Sequence, residues 1–252
     1  MTTLYGVGVG PGAPDLVTLR ALDVMRRAPV LALPRGSDSG ASRAWEIVAP
    51  CLGSLPEQER LLLTFPMSKD PVRVRPAWDR AFGLIGERLG RGLDVAFATE
   101  GDPSLYSTFI YVQEEARRRW PEVRIQVVPG VSSITAVPAV TGIPLADGQE
   151  RIAILPATYG TEDLAAVLRQ FDTIVLMKIG AEMPRILSAL EQEDLTERAV
   201  YVSRATGKEE RIVRDVSALS AEHGGCFSML VVSKKRQSGV LGGAVPQRKV
   251  AP

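Results

Sequence analysis

Asp94-Val95-Ala96-Phe97-Ala98-Thr99-Glu100-Gly101-Asp102-Pro103-Ser104-Leu105-Tyr106-Ser107 is the stretch that decides the fold. The run Asp94 to Thr99 reads as a buried strand. A polar turn holding Gly101 and Pro103 follows, and Leu105 to Trp120 reads as a helix. Strand, turn and helix in that order form the unit of a parallel sheet covered on both faces. In an open sheet of this kind, ligands bind beyond the carboxyl ends of the strands. Gly101 lets a backbone pass close to a ligand, and Asp102 is placed to accept hydrogen bonds. The same residues serve equally as a plain helix start, with Asp102 or Ser104 as the cap.

The unit recurs on either side. Leu4 to Gly10 reads as a strand ending in glycines, with Pro11-Gly12-Ala13-Pro14 as the turn and Asp15 capping a helix to Arg27. Val30 to Leu33 is a second strand, stopped by Pro34. Ser42 to Ala49 and Pro76 to Arg91 read as helices, and Leu61 to Phe65 as a short strand or extended segment. Arg124 to Val128 is a strand followed by a helix over Val131 to Val140. Thr141 to Gln149 breaks the alternation and reads as a linker. Beyond it lie strands at Arg151–Leu155, Thr173–Met177, Ala199–Ser203, Arg211–Val213 and Phe227–Val232, with helices at Glu162–Gln170 and Met183–Gln192. Consecutive strands there predict a mixed sheet. The expected domains are 1–142 and 143–233, followed by a mobile basic tail over 234–252.

Composition removes several function classes. The 252 residues are 45% hydrophobic and 23% charged, enough for a sizeable core. Lys+Arg number 30 against Asp+Glu 29, without the basic excess of a nucleic-acid binder. Cys51 and Cys226 suggest no disulfide framework and are expected as free thiols, Cys226 as a small core residue. His223 is the only histidine and sits beside Gly224-Gly225 in a turn, so neither a zinc site nor a Ser-His-Asp triad is expected. No apolar run spans a membrane and no signal peptide is read, which places the chain in the cytoplasm as an expectation. The run Arg117-Arg118-Arg119 reads as a solvated helix end.

Three further segments bear on binding. Gly6-Val7-Gly8-Val9-Gly10-Pro11-Gly12 looks like a dinucleotide fingerprint, but Pro11 and Pro14 remove the amides that a pyrophosphate needs. Val128-Pro129-Gly130-Val131-Ser132-Ser133 repeats the strand-turn-helix arrangement, with Ser132 or Ser133 as cap. No Gly-Lys-Ser/Thr follows, which argues against a triphosphate. Arg35 and Arg43, in the glycine-rich loop after the second strand, and Lys69, Arg73 and Arg75 beyond it, can pair with carboxylates or remain solvated.

Together these segments resemble the tetrapyrrole (corrin and porphyrin) methyltransferases that use S-adenosylmethionine. The resemblance rests on Gly6 to Gly12 with Asp15 and Leu19, on Glu100-Gly101-Asp102-Pro103, on Pro129-Gly130-Val131-Ser132 and on Gly142-Ile143-Pro144, in that order. A finer resemblance, to the subgroup that methylates C-20 of precorrin-2, rests on Leu63 to Asp70 with Trp78, on Glu100 to Phe109, and on Val131-Ser132-Ser133. Glu100 stands where uroporphyrinogen III methyltransferases usually carry glycine.

The resemblance implies two α/β domains with the methyl donor in a cleft between them, a homodimer, and no protein-bound metal. It assigns Gly101, Asp102, Leu105, Tyr106, Ser132, Ser133, Met177, Ala205 and Leu230 to the donor, with Lys178 as the alternative to Met177. It places Gly10, Gly12, Asp15 and Arg35 beside the tetrapyrrole. The implied reaction is methylation of metal-free precorrin-2 to precorrin-3A in cobalamin biosynthesis. The alternatives are cobalt-factor II, uroporphyrinogen III, another corrin carbon, a protein target such as the diphthamide precursor, and a binder without turnover; a nicotinamide oxidoreductase is the most distant. No residue declares itself the catalytic base, although Glu100, Asp102 and Tyr106 are near.

Overall fold

A computed structural model describes residues 1–53, 55–68, 70–157, 163–223, 225 and 227–234. Cys226, Lys69, Glu162 and the basic tail beyond Lys234 lie outside the described residues. The chain divides into two compact units: residues 1–136 with 206–208, and residues 137–205 with those from 209 onward.

The first unit is built on strands β1 (Thr3–Gly8), β2 (Val30–Arg35), β3 (Glu59–Thr64), β4 (Val95–Thr99) and β5 (Arg124–Val128). They form one parallel sheet in the order β3-β2-β4-β1-β5. All five residues of β4 are buried, because both faces of the sheet are covered. Alternation sends Val95 and Phe97 to one face and Ala96 and Ala98 to the other. Helices α1 (Leu19–Arg27) and α2 (Arg43–Leu52) pack Met25, Ile47 and Val48 on the alanine face. Helices α3 (Pro71–Gly90) and α4 (Thr108–Arg119) pack Phe82, Ile85 and Phe109 on the other. A Cβ at Gly6 would stand 2.1 Å from the Phe109 ring, so the bare backbone of β1 is what lets α4 seat.

The connections place the site. α1 follows β1 on one face, and α4 follows β4 on the opposite face, while β1 and β4 are neighbours. Their carboxyl ends therefore flank the point where the winding of the sheet reverses, which is where an open α/β sheet leaves a crevice.

The second unit is mixed, as expected. Strands β6 (Ile152–Pro156) and β7 (Thr173–Met177) are parallel. Strands β8 (Ala199–Ser203), β9 (Arg211–Val213) and β10 (Ser228–Ser233) pair antiparallel in the order β6-β7-β10-β8-β9. Helix α5 (Ser133–Thr141) carries the division between the units, and α6 (Leu164–Gln170) and α7 (Met183–Gln192) pack on the second sheet.

Several element boundaries differ from the sequence reading for local reasons. Asp15 does not cap α1. Pro14–Leu16 forms a single 3₁₀ turn, Val17 is extended, and the Thr18 hydroxyl accepts from Ala21 N at 3.1 Å instead. Strand β2 continues through Pro34. Phe65 N donates to Arg35 O, so Arg35 faces β3 and the missing N–H of Pro34 points to the β4 side, where pairing has already ended at Ala32. Helix α3 starts five residues earlier than Pro76, because Asp70 accepts from Val72 N and Pro71 suits the first turn. Helix α4 starts at Thr108 rather than Leu105, because Tyr106 holds a left-handed φ of 50° that no helix contains.

The arginine run at the end of α4 is more than a solvated face. Glu115 accepts from Arg118 and Arg119 at 2.5 Å, and Arg119 reaches Asp79 of α3 at 2.6 Å and lies over the Phe82 ring. Arg118 first, and Arg119 with it, hold the Glu115 carboxyl down to about 2. A carboxylate with a depressed folded value contributes stability above its unfolded value near 4.5 and loses it as pH falls toward about 2. Glu115→Gln should therefore lower stability at neutral pH by roughly 1 kcal/mol. Urea titrations should show the gap between variant and parent closing as pH drops through that window.

Candidate active site

Three strand ends meet backbone to backbone at the reversal point. Val9 N donates to Thr99 O at 3.0 Å, and Gly101 N donates to Gly10 O at 2.8 Å, closing an antiparallel bridge between Gly10 and Gly101 beyond the parallel ladder. A Cβ at Gly8 would lie 2.6 Å from both Gly101 O and Gly130 N. One at Gly130 would lie 2.2 Å from Gly101 O and 2.8 Å from Gly8 Cα. Real side chains never come that close, so the junction requires glycine at both positions. Gly101 differs: its φ is 68°, and an added Cβ would meet nothing within 4 Å. Its backbone is packed on one side and open on the other, the arrangement in which a ligand can rest directly on the main chain.

The polar groups around this junction are ordered. Asp102 Oδ1 accepts from Ser104 N at 2.8 Å, and Oδ2 accepts from Gly130 N at 3.0 Å. The predicted cap at Asp102 or Ser104 is replaced by Ser107, whose hydroxyl accepts from Phe109 N at 3.1 Å. Ser107 Oγ also bonds Thr99 Oγ1 at 2.9 Å in a buried pair that ties the helix start to the end of β4. Between them the turn carries Leu105 and the 39% exposed Tyr106. Ser132 accepts from Ile134 N at 3.2 Å, and Ser133 opens α5.

The expected substrate side lies along the same edge. Gly10 has φ 81° and packs on Leu16 O. The segment through Gly12 to exposed Asp15 is held by Ala13 N, which donates to Thr206 Oγ1 at 3.0 Å. Thr206 groups with the first unit and takes a left-handed φ of 64°. No sequence signal pointed to Thr206, since the contact joins residues 193 positions apart. Arg35, 19% exposed, donates from Nε to Thr64 Oγ1 at 3.2 Å and from Nη2 to Asp38 Oδ1 at 3.5 Å. Thr64 in turn donates to Asp38 at 2.5 Å. Arg43 pairs with Glu46 at 2.9 Å.

In the second unit, Met177 ends β7 opposite Met229, and Lys178 turns left-handed with its N–H on Ser228 O. Ala205 follows Arg204, another left-handed residue, whose N–H donates to Phe227 O. Leu230 is fully buried in mid-strand between β7 and β8, where its side chain packs in the core. His223 builds a turn: its Nδ1 accepts from Ser220 N at 3.1 Å, and its carbonyl accepts from the Tyr201 hydroxyl. Among the described residues no three His, Cys, Asp or Glu side chains group as a metal site, and no helix is long and apolar enough to cross a membrane.

The profile of the Tetrapyrrole (Corrin/Porphyrin) Methylases matches residues 3–219. The chain belongs to the tetrapyrrole methylases. Within that family it is 34% identical over 233 residues to the cobalt-precorrin-2 C(20)-methyltransferase of Salmonella typhimurium, covering 92% of this chain and 96% of that protein. It is 29% identical over 214 residues to a precorrin-2 C(20)-methyltransferase of a Sinorhizobium species, covering 81% and 84%. Among solved structures, a cobalt precorrin-4 methyltransferase shares the fold with a TM-score of 0.70 at 24% identity, over 92% of this chain and 94% of that one.

For this tetrapyrrole methylase the glycines of the junction fall into two kinds, and substitution separates them. Gly130→Ala should cost about 3 kcal/mol through backbone overlap, with a matching fall in Tm. Gly101→Ala should cost about 1 kcal/mol, the strain of a left-handed alanine with no overlap. Thermal unfolding of the two variants side by side checks this order.

Proposed function

We propose that the chain transfers a methyl group from S-adenosylmethionine to C-20 of a precorrin-2 tetrapyrrole in cobalamin biosynthesis. The observation that carries the reading is the open, glycine-lined backbone at Gly101, beside the ordered turns of Asp102 and Ser132, at the reversal point of the sheet. The names of the two relatives agree on C-20. The higher identity belongs to the cobalt-bearing substrate, so that form is the first to test.

The residues fit a donor of this shape. Gly101 leaves space for a ligand to lie on the main chain, and a bulkier residue would fill it. On this reading Gly101, Leu105, Tyr106, Ser132 and Ser133 hold the donor in the first unit, and Met177 and Ala205 are further contacts. Leu230, enclosed in the core, acts as support. When bound, S-adenosylmethionine supplies an electrophilic methyl on its sulfonium. The C-20 bridge of a reduced tetrapyrrole is already nucleophilic, so the chain's main contribution is alignment and exclusion of water. Asp102 has both oxygens on backbone amides and is not poised to take the C-20 proton. Gly10, Gly12, Asp15 and Arg35 border the tetrapyrrole, with Arg35 facing one of its carboxylates. The protein works as a cytoplasmic homodimer on this reading, which light scattering after size exclusion would test.

Anaerobic incubation with S-adenosylmethionine and each form of the substrate should add a single methyl, with the carbon-13 signal at C-20. Tight donor binding without methylation of either form would remove this acceptor. Gly101→Ala should weaken S-adenosylhomocysteine binding in calorimetry at least tenfold, measured where the variant is still fully folded.

Arg35→Ala should raise the apparent KM for the tetrapyrrole several-fold and leave donor affinity intact. Unchanged substrate kinetics would take Arg35 out of the site.

A further inference from the structure

Asp102 sits where the resemblance places a donor ligand, yet its carboxylate is engaged elsewhere. Oδ1 closes its own turn on Ser104 N, and Oδ2 reaches 28 residues along the chain to Gly130 N. The two turns it joins follow β4 and β5, which do not pair, because β1 runs between them. No strand ladder holds those turns together. The bridge crosses at Gly8, where any side chain would collide with Gly101 O and with the same Gly130 N. Gly130 leads directly into Val131, Ser132 and Ser133.

We propose that Asp102 is a positioning residue. Resting on the donor-site reading above, it sets the Gly130–Ser133 turn against the Gly101 backbone and acts on the donor through that turn, without touching it. Both oxygens then accept amide N–H groups in every state of the reaction. Asparagine at this position presents only one acceptor to two N–H donors. One amide would lose its partner, and the second turn would drift from the first.

The test uses Asp102→Asn and ligands that each lack one polar group: S-adenosylhomocysteine, its 2′-deoxy and 3′-deoxy forms, and the form without the methionine amino group. Affinity should fall about tenfold for the parent ligand, as expected when a part-buried amide loses a charged partner. The same factor should hold for every analogue. A loss that vanishes for one analogue would mean that Asp102 bonds the missing group directly, and would overturn the proposal. A lowered Tm with unchanged affinity would reduce Asp102 to a structural role and overturn it equally.

The amide of Gly130 gives a readout that needs no ligand. Its proton resonance and exchange rate should change in the variant more than those of Gly101, and no change would overturn the bridge. If the parent chain fails to bind S-adenosylhomocysteine, the donor reading falls, while the Gly130 amide still decides the bridge. Asp102→Glu, with both acceptors on a longer arm, serves if the asparagine variant does not fold. Its loss should be smaller and equally independent of the analogue.

Discussion

The first unit depends on main chain packing against main chain at the ends of β1, β4 and β5. Backbone atoms of Gly8, Gly101 and Gly130 approach within distances that exclude any Cβ at the first and last of them. Close packing of this kind has no slack, because a side chain cannot shrink and a neighbouring backbone cannot move without breaking its own ladder. The bridge between Gly10 and Gly101 and the Asp102 bond to Gly130 then fix the three ends in one arrangement. What the junction leaves outward is the open side of Gly101, so the same constraint that locks the strand ends also exposes backbone at the reversal point.

Left-handed backbone recurs at turns in both units. Tyr106, Lys178, Arg204 and Thr206 all adopt left-handed backbone, which costs a non-glycine residue on the order of 1 kcal/mol. Such geometry persists only where neighbours over-determine it. Lys178 and Arg204 donate their N–H groups to Ser228 O and Phe227 O, and Thr206 accepts from Ala13 N. Tyr106 stands between the Asp102 turn and the buried Ser107–Thr99 pair, anchored at both ends. These bends halt the chain after a strand and turn it sharply, which a continuous helix start would not do.

Legibility in the sequence followed the range of the forces involved. The strand of β4, the alternation of its faces and the mixed second sheet could be read, because periodicity and the order of elements record them locally. Pro11 and Pro14 argued from sequence against a phosphate cradle, whereas the seating of Phe109 at Gly6 and the close approach at Gly8 needed three-dimensional neighbours. Boundaries failed where one hydrogen bond outweighed propensity. Ser107 took the cap from Asp102 because Tyr106 is left-handed, and Asp70 extended α3 past Pro76. Thr206 and the α3–α4 charge network were invisible because each partner is unremarkable alone. Of the residues that the resemblance assigns to the donor, Gly101, Asp102, Ser132 and Ser133 gather at one edge of the first sheet, whereas Leu230 sits in the core of the second unit, since a motif match fixes position along a strand but not exposure.

The Arg35 loop holds its cation in a loose, partly solvated network rather than in a buried pair. The Arg35 side chain is one-fifth exposed and bonded to Thr64, while Asp38 meets it at 3.5 Å from a largely solvated position. The neutral Thr64 hydroxyl accepts from Arg35 and donates to Asp38, so it links the two groups in one hydrogen-bonded chain. The Asp38 contact is long and exposed, and pairs of that kind contribute about 1 kcal/mol or less. On the proposed reading, replacing it with a substrate carboxylate forfeits little, while a bidentate pair in a drier setting gains more. An arginine without Asp38 would bind any passing anion, and one with a buried partner would bind none. The loose pair lies between those extremes, which on the proposed reading suits a substrate carrying many carboxylates.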